Sequence, residues 1–158
     1  MNSTAVVPAG PGRMGAIASI VGVVEHGDKR GRLLGFPTAN LVVPLLDLED
    51  GVWAGTVQLV QDSDEGMRTE YVAAVSVGRR PTYYGDHGQR LIEANLLDFD
   101  GDLYGQTVLV LLHRRLRTQR RYVESDELVD QLHKDVENVR RWAMDVGFVH
   151  LLREEVRP

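Results

Sequence analysis

Cysteine is absent from the 158 residues, which excludes disulfides, thiolate metal sites and cysteine nucleophiles and suits a reducing compartment such as the cytoplasm. Basic charge is not in surplus either. Eighteen Lys and Arg against 23 Asp and Glu leave a net charge of -5, so a general polyanion binder would need its cations segregated on one face. Residues 1–15 contain glycine and proline but no charged segment leading into a long apolar core, so neither a secretory signal nor a membrane span is evident. That stretch is expected to be a disordered tail. Several catalytic patterns are missing as well: no serine sits in a Gly-x-Ser-x-Gly elbow, and no Walker or Gly-x-Gly-x-x-Gly phosphate fingerprint occurs. The five histidines, His26, His87, His113, His133 and His150, are scattered and make no case for a metal cluster.

What is present has the makings of one globular domain, since 43% hydrophobic and 26% charged residues are ordinary values and a chain of this length buries a substantial core. The expected boundaries are a domain over 16–150 and a short tail over 151–158. Residues 16–24 and 52–60 read as strands, the second with Gly55 as a possible bulge. In 69–77, Tyr71, Ala73, Val75 and Val77 alternate with Val72, Ala74 and Ser76, so a hairpin partner for the preceding strand is expected. Two more strands, 90–97 and 105–112, are joined through Asp100-Gly101, a tight-turn pair. The last quarter changes period: Ser125 can cap a helix carrying Leu128, Leu132, Val136, Val139, Ala143 and Val146 on one face, with Gly147 as terminator. The pattern is mainly β, an antiparallel and nearly closed barrel with a C-terminal α-helix packed on it.

The densest chemistry lies in His26-Gly27-Asp28-Lys29-Arg30-Gly31-Arg32-Leu33-Leu34-Gly35-Phe36-Pro37-Thr38-Ala39-Asn40. Gly27, Gly31 and Gly35 let backbone approach a ligand, and Lys29, Arg30 and Arg32 bring positive charge to the same loop. A solvated basic loop fits these residues too. Pro37 biases the chain toward an extended form, so Thr38 and Asn40 should point to one side and offer two oxygens of the kind Mg²⁺ accepts.

Glu93 lies in the otherwise apolar run Leu91-Ile92-Glu93-Ala94-Asn95-Leu96-Leu97. It is solvated, paired with Arg79, Arg80 or Arg90, or placed for chemistry; position alone leaves all three open. Arg114, Arg115, Arg117, Arg120 and Arg121 form a run that fits a solvated face, an anion site or a nucleic-acid patch.

In order along the chain, the 26–41 loop, Gly51-Val52-Trp53-Ala54-Gly55, Ser76-Val77-Gly78-Arg79-Arg80-Pro81-Thr82, Ile92-Glu93-Ala94-Asn95-Leu96-Leu97-Asp98-Phe99, Asp102-Leu103-Tyr104-Gly105 and Leu116-Arg117 closely resemble riboflavin kinase. Six separated blocks in family order make the match specific. The resemblance implies a six-stranded antiparallel Greek-key-like barrel with its helix, and Mg²⁺-dependent transfer of the ATP γ-phosphoryl group to the riboflavin 5′-hydroxyl, giving FMN and ADP. It implies Thr38 and Asn40 at the Mg²⁺ site, Gly27, Lys29, Gly31 and Gly35 along the phosphates, and Phe99 and Tyr104 near the adenine. Glu93 would be the catalytic base. Leu116, Arg117 and Arg120 would lie in a second flexible loop where the flavin docks. Arg79 and Asn95 depart from the usual family pattern without removing a residue assigned to chemistry. No adenylyltransferase motif accompanies these blocks, so FAD synthesis is not expected. A catalytically silent flavin or nucleotide sensor on the same fold is the alternative, against which intact Thr38, Asn40 and Glu93 argue. Small-molecule substrates are thus expected, with no nucleic acid and no membrane. The arginine run lacks the interleaved aromatics that single-stranded nucleic acid requires, and nothing in the sequence identifies a protein partner.

Overall fold

The alternation in residues 69–77 separates two apolar layers in the computed structural model, which describes residues 5–7, 15–27, 35–44, 48–60, 69–79 and 89–153. Tyr71, Ala73, Val75 and Val77 join a central core with Ile92, Ala94, Leu96, Val108, Val110 and Leu112. Val72 and Ala74 face the other way and pack with Ala54, Leu97, Val139, Trp142 and Ala143. The first layer fills a barrel; the second lies between its outer wall and the helix.

The strands are β1 (Ala5–Val7), β2 (Ala18–Val23), β3 (Ala39–Pro44), β4 (Gly51–Leu59), β5 (Thr69–Arg79), β6 (Gln89–Leu96) and β7 (Thr107–Arg117). They form one sheet in the order β1-β2-β7-β4-β5-β6-β3, every pairing antiparallel. A bridge between Glu25 and Asn40, with the Glu25 N–H donating to the Asn40 carbonyl at 2.8 Å, brings the ends of β2 and β3 together and nearly closes six strands into a barrel. The hairpin of β4 and β5 is as expected. β6 and β7 are not neighbours, however, so the segment containing Asp100-Gly101 is no hairpin turn but a crossing over one end of the barrel.

Curvature is concentrated where β4 meets β7, whose register shifts between Val52 and Trp53 and again between Ala54 and Gly55. Such irregularities sharpen twist and help a sheet close on itself. A side chain at Gly55 would put its Cβ against the Leu111 carbonyl, 3.2 Å from its carbon, so the close approach of the two strands requires glycine. β7 also runs five residues beyond the expected end at Leu112, so Leu116 and Arg117 lie in a strand and not in a loop. Pairing with Val52 and Trp53 holds this arginine-rich end, which apolar periodicity alone did not reveal.

The helix α1 (Ser125–Asp145) carries Asp126 and Glu127 in its first turn, where carboxylates favour the positive end of the dipole. Glu124, not Ser125, occupies the cap position, and no side chain caps the first turn. Leu128 donates to the Glu124 carbonyl at 3.3 Å, so the hydrogen-bonded turn begins one residue earlier than the serine suggested. At the other end Gly147 adopts φ +86°, its N–H donates to Met144 O, and Phe148 N–H reaches Ala143 O at 2.7 Å. This left-handed turn folds Phe148 back to within 5.6 Å of the Trp142 ring. Val139 and Ala143 are buried as expected, whereas Val146, beyond the last full turn, is half exposed; Trp142 supplies the burial there.

Most of the expected N-terminal tail lies outside the described residues, but Ala5–Val7 within it pairs with β2. The described residues after the helix are held at Arg153, whose N–H donates to Asp98 and whose guanidinium donates to the Tyr71 hydroxyl. Among the described residues, no helix is long and apolar enough to cross a membrane.

Candidate active site

Pro37 leads into β3 with Ala39, Leu41 and Val43 turned into the barrel core, which by alternation directs Thr38 and Asn40 away from it. Both line a cavity of about 250 Å³ at the barrel end, together with Val24, His26 and Gly27 after β2 and Phe99, Asp102 and Tyr104 from the crossing segment. Asn40 is buried at 8% exposure. Its Nδ2 donates to the Thr38 carbonyl at 3.3 Å, leaving the amide oxygen as the group available to a ligand. A Cβ at Gly27 would sit 2.7 Å from the Asn40 Cγ, so glycine there makes room for the amide.

The opposite wall is aromatic. Asp102 accepts from the Tyr104 N–H at 2.9 Å and so shapes the turn that presents Tyr104. Tyr104 stacks on His26 with 3.5 Å between centroids and 15° between planes. Phe99 packs edge-on to Tyr71 at 5.1 Å, and its ring closes over Gly101, where a Cβ would approach Cζ to 3.0 Å. Beside it Asp98 takes the left-handed conformation, φ 61°, held by Arg140 at 3.0 and 2.5 Å. The hydrogen bonds from Arg140 keep the Asp98 carboxyl below its ordinary pKa range despite partial burial.

Glu93 adjoins this cavity without lining it. On β6, Ile92, Ala94 and Leu96 point into the core, so Glu93 stands on the outer wall with the half-buried Leu91 and Asn95. Its cross-strand partners are Asn40 on β3 and Ser76 on β5. Directly opposed residues hold their Cβ atoms roughly 5 Å apart, so the three side chains form one row on the barrel exterior. Arg79 and Arg90, two of the partners considered above for Glu93, each contact Asp50, and the third, Arg80, is outside the described residues. Gln119 covers the far end of the row: its Nε2 donates to Ser76 Oγ at 2.7 Å and lies 3.1 Å from Val77 O.

The expected second loop is arranged differently. Leu116 packs against the helix-side cluster, and Arg120 is exposed. Arg117 donates through Nε and Nη2 to the two oxygens of Asp135, each at 2.7 Å, and through Nη1 to Thr118 O. The Asp135 hydrogen bonds raise the Arg117 pKa further above its ordinary value, against the effect of burial. Gly35, at φ +87°, precedes Phe36, whose ring meets His133 of α1 edge-on at 4.9 Å. Along the chain of paired residues Asn40, Glu93, Ser76, Val52 and Arg117 there are four interstrand steps, roughly 19 Å of sheet. Gly27, Thr38, Asn40, Phe99 and Tyr104 therefore gather in one cavity with Glu93 alongside, while Leu116 and Arg117 lie across the wall. Lys29 and Gly31 are outside the described residues. His26, Ser76, Asp102 and Gln119 joined the arrangement unannounced, since only Asp102, close to a glycine turn, carried a local signal.

Residues 14–143 match the family model for flavokinase, described as riboflavin kinase. The chain belongs to the riboflavin kinase family. A bifunctional riboflavin kinase/FMN adenylyltransferase of Bacillus subtilis is 33% identical over 130 residues, covering 78% of this chain and 38% of that protein. Its namesake in Escherichia coli K12 is 38% identical over 121 residues, 74% of this chain and 35% of the relative. The chain thus spans under half the length of these relatives. A solved structure from Streptococcus pneumoniae, described as a macrolide-efflux protein, is 38% identical with a TM-score of 0.66, over 80% of this chain and 39% of its own. The riboflavin kinase of Trypanosoma brucei, 24% identical with a TM-score of 0.54 over 80% and 79% of the two chains, shares the fold. The barrel and C-terminal helix are the family architecture.

Proposed function

We propose that this member of the riboflavin kinase family transfers the γ-phosphoryl group of ATP to the 5′-hydroxyl of riboflavin, releasing FMN and ADP. The observation that carries the proposal is the register of β3 against β6, which makes Glu93 the direct cross-strand partner of Asn40, a residue that lines the aromatic-walled cavity. A residue suited to metal-bound phosphates and a residue suited to deprotonating an alcohol are thereby neighbours.

Mg²⁺ fits the residues present. Among the described residues no group of three or more His, Asp or Glu is arranged to hold a metal, but Mg²⁺ in nucleotide sites keeps waters and phosphate oxygens and needs few protein ligands. Thr38 and the free amide oxygen of Asn40 supply hard neutral oxygens of that kind. Bound with the triphosphate, the ion would offset charge on the phosphate oxygens. Phe99 and Tyr104 offer faces to the nucleotide base, and Gly27 and Gly35 allow backbone to approach the phosphates. Glu93 would accept the 5′-hydroxyl proton as the new O–P bond forms and the bond to the ADP oxygen breaks. Positioning carries most of the rate and the base the remainder, because phosphoryl transfer needs little covalent assistance.

The test is FMN formation from riboflavin, ATP and Mg²⁺, separated from substrate by chromatography. Glu93→Gln is expected to retain ADP and flavin affinity and lose most FMN production. Equal turnover by the variant and its parent refutes Glu93 as base, and binding of both ligands by an inactive parent would favour a sensor.

A further inference from the structure

We propose that Asp98, Arg140 and Arg153 are positioning residues for nucleotide binding, through which the C-terminal helix and the residues after it set the place of the Phe99 ring in the cavity. The inference rests on the reading of Phe99 as a face for the nucleotide base. Leu97 still belongs to the barrel wall, since its N–H donates to Val72 O at 2.8 Å and its side chain packs with Val139, Trp142 and Ala143. Continued strand alternation would send Phe99 to that same side, toward the helix. Phe99 instead packs against the barrel core and lines the cavity. Asp98 makes the difference, because its φ of 61° turns the chain between two residues that face opposite ways. A residue with a Cβ takes this left-handed conformation at a cost, so other contacts must hold it.

The holding groups come from the last part of the chain. Arg140, on α1, donates to both Asp98 oxygens at 3.0 and 2.5 Å, and the Arg153 N–H donates to Oδ2 at 3.1 Å. A bidentate guanidinium fixes orientation as well as distance. Arg153 also reaches the neighbour of the ring: its Nη2 donates to the Tyr71 hydroxyl at 3.0 Å, and its guanidinium carbon lies 5.2 Å from the Tyr71 centroid. Tyr71 is the residue against which Phe99 packs edge-on. The backbone before Phe99 and the ring beside it are thus both held by residues that do not line the cavity. A base that stacks on Phe99 meets a ring already fixed in place, and such preorganisation strengthens binding without any contact from Arg140 or Arg153 to the ligand.

Calorimetric titration with MgADP is the direct readout, because it needs no turnover. Phe99→Leu should weaken binding roughly 10-fold, within the range for removing one aromatic platform from a base. Arg140→Met should weaken it roughly 3- to 5-fold, since the ring is loosened and not removed. The double variant Arg140→Met, Phe99→Leu should bind no more weakly than Phe99→Leu alone, because Arg140 acts only through the ring. In FMN formation Arg140→Met should raise KM for MgATP by a similar factor and leave kcat and KM for riboflavin near parental, a split that a general loss of stability does not produce. Asp98→Asn, which keeps an acceptor and tolerates the left-handed turn, should bind MgADP more tightly than Asp98→Ala. Should Arg140→Met fail to fold, Arg140→Lys replaces it in the same titrations, with a loss of about twofold or more expected because lysine lacks the planar fork. Parental MgADP affinity in the Arg140 variant, additive losses in the double variant, or equal affinities of Asp98→Asn and Asp98→Ala would overturn the proposal and leave Phe99 in the site. Parental affinity in Phe99→Leu, or a parent that does not bind MgADP, removes the nucleotide reading of Phe99 and the positioning role with it.

Discussion

Replacing Arg117 with methionine would leave the Asp135 carboxylate without its cation at a site where its side chain is 3% exposed. The pair is bidentate, with both N···O distances 2.7 Å, and Gln131 adds a third donor to Asp135 at 3.0 Å. Breaking one partner of a buried pair typically costs about 3–5 kcal/mol, because the remaining charge is uncompensated. Here the Arg117 side chain is 19% exposed and Gln131 stays in place, which lowers the expected loss to about 2–4 kcal/mol. Against a total stability of about 5–15 kcal/mol that is a large fraction. In a chain of this size it corresponds to a fall in Tm of roughly 4–16 °C. Urea denaturation should show a lower midpoint at unchanged slope. The double variant Arg117→Met, Asp135→Leu should recover much of the loss, because no charge is then left buried. KM for riboflavin should change little if Arg117 serves to fasten β7 to α1. Parental stability with a strongly raised riboflavin KM would refute this reasoning and return Arg117 to the flavin site.

Gly27→Ala sets a methyl group against the Asn40 side chain, an overpacking worth about 1–3 kcal/mol, and should weaken MgADP binding in calorimetry; parental affinity would mean the amide moves aside freely. Thr38→Ala should also weaken MgADP binding, and unchanged affinity would count against its place at the metal. His113 provides a pH test, since its ring lies 5.2 Å from Trp142 and 5.5 Å from Phe148 and burial holds its pKa below the ordinary 6.5, with Glu70 opposing in part. Below 6.5 the unfolded chain takes up a proton that the folded chain resists. The contribution to stability is therefore complete above 6.5 and declines as pH falls toward the lowered folded value. Urea midpoints should drop between about pH 7.5 and about pH 5.5, and His113→Phe should flatten that dependence. An unchanged slope in the variant would assign the drop to other groups.

Several features of the fold were legible residue by residue. The period of Tyr71, Ala73, Val75 and Val77 reports a strand with one face in a core, because side chains alternate whatever the partner strand is. Gly147 ends the helix because a left-handed turn is inexpensive only without a Cβ. Pro37 and the two-residue spacing of Thr38 and Asn40 put both at the cavity by the same local logic. Asp100-Gly101 misled for the complementary reason: a turn signal reports a local bend, not which strands become neighbours.

Backbone sterics, side-chain period and chemical type thus let the sequence by itself determine the class of fold, the helix and the candidate oxygens, while Glu93 became the candidate base only through the family resemblance. Only the closed barrel decided that Asn40, Glu93 and Ser76 form one row, that Gly27 yields space to Asn40, and that Arg117 turns to Asp135. Those contacts join residues far apart in the chain, and they depend on strand register and curvature, which become definite only when all six strands close around a shared core.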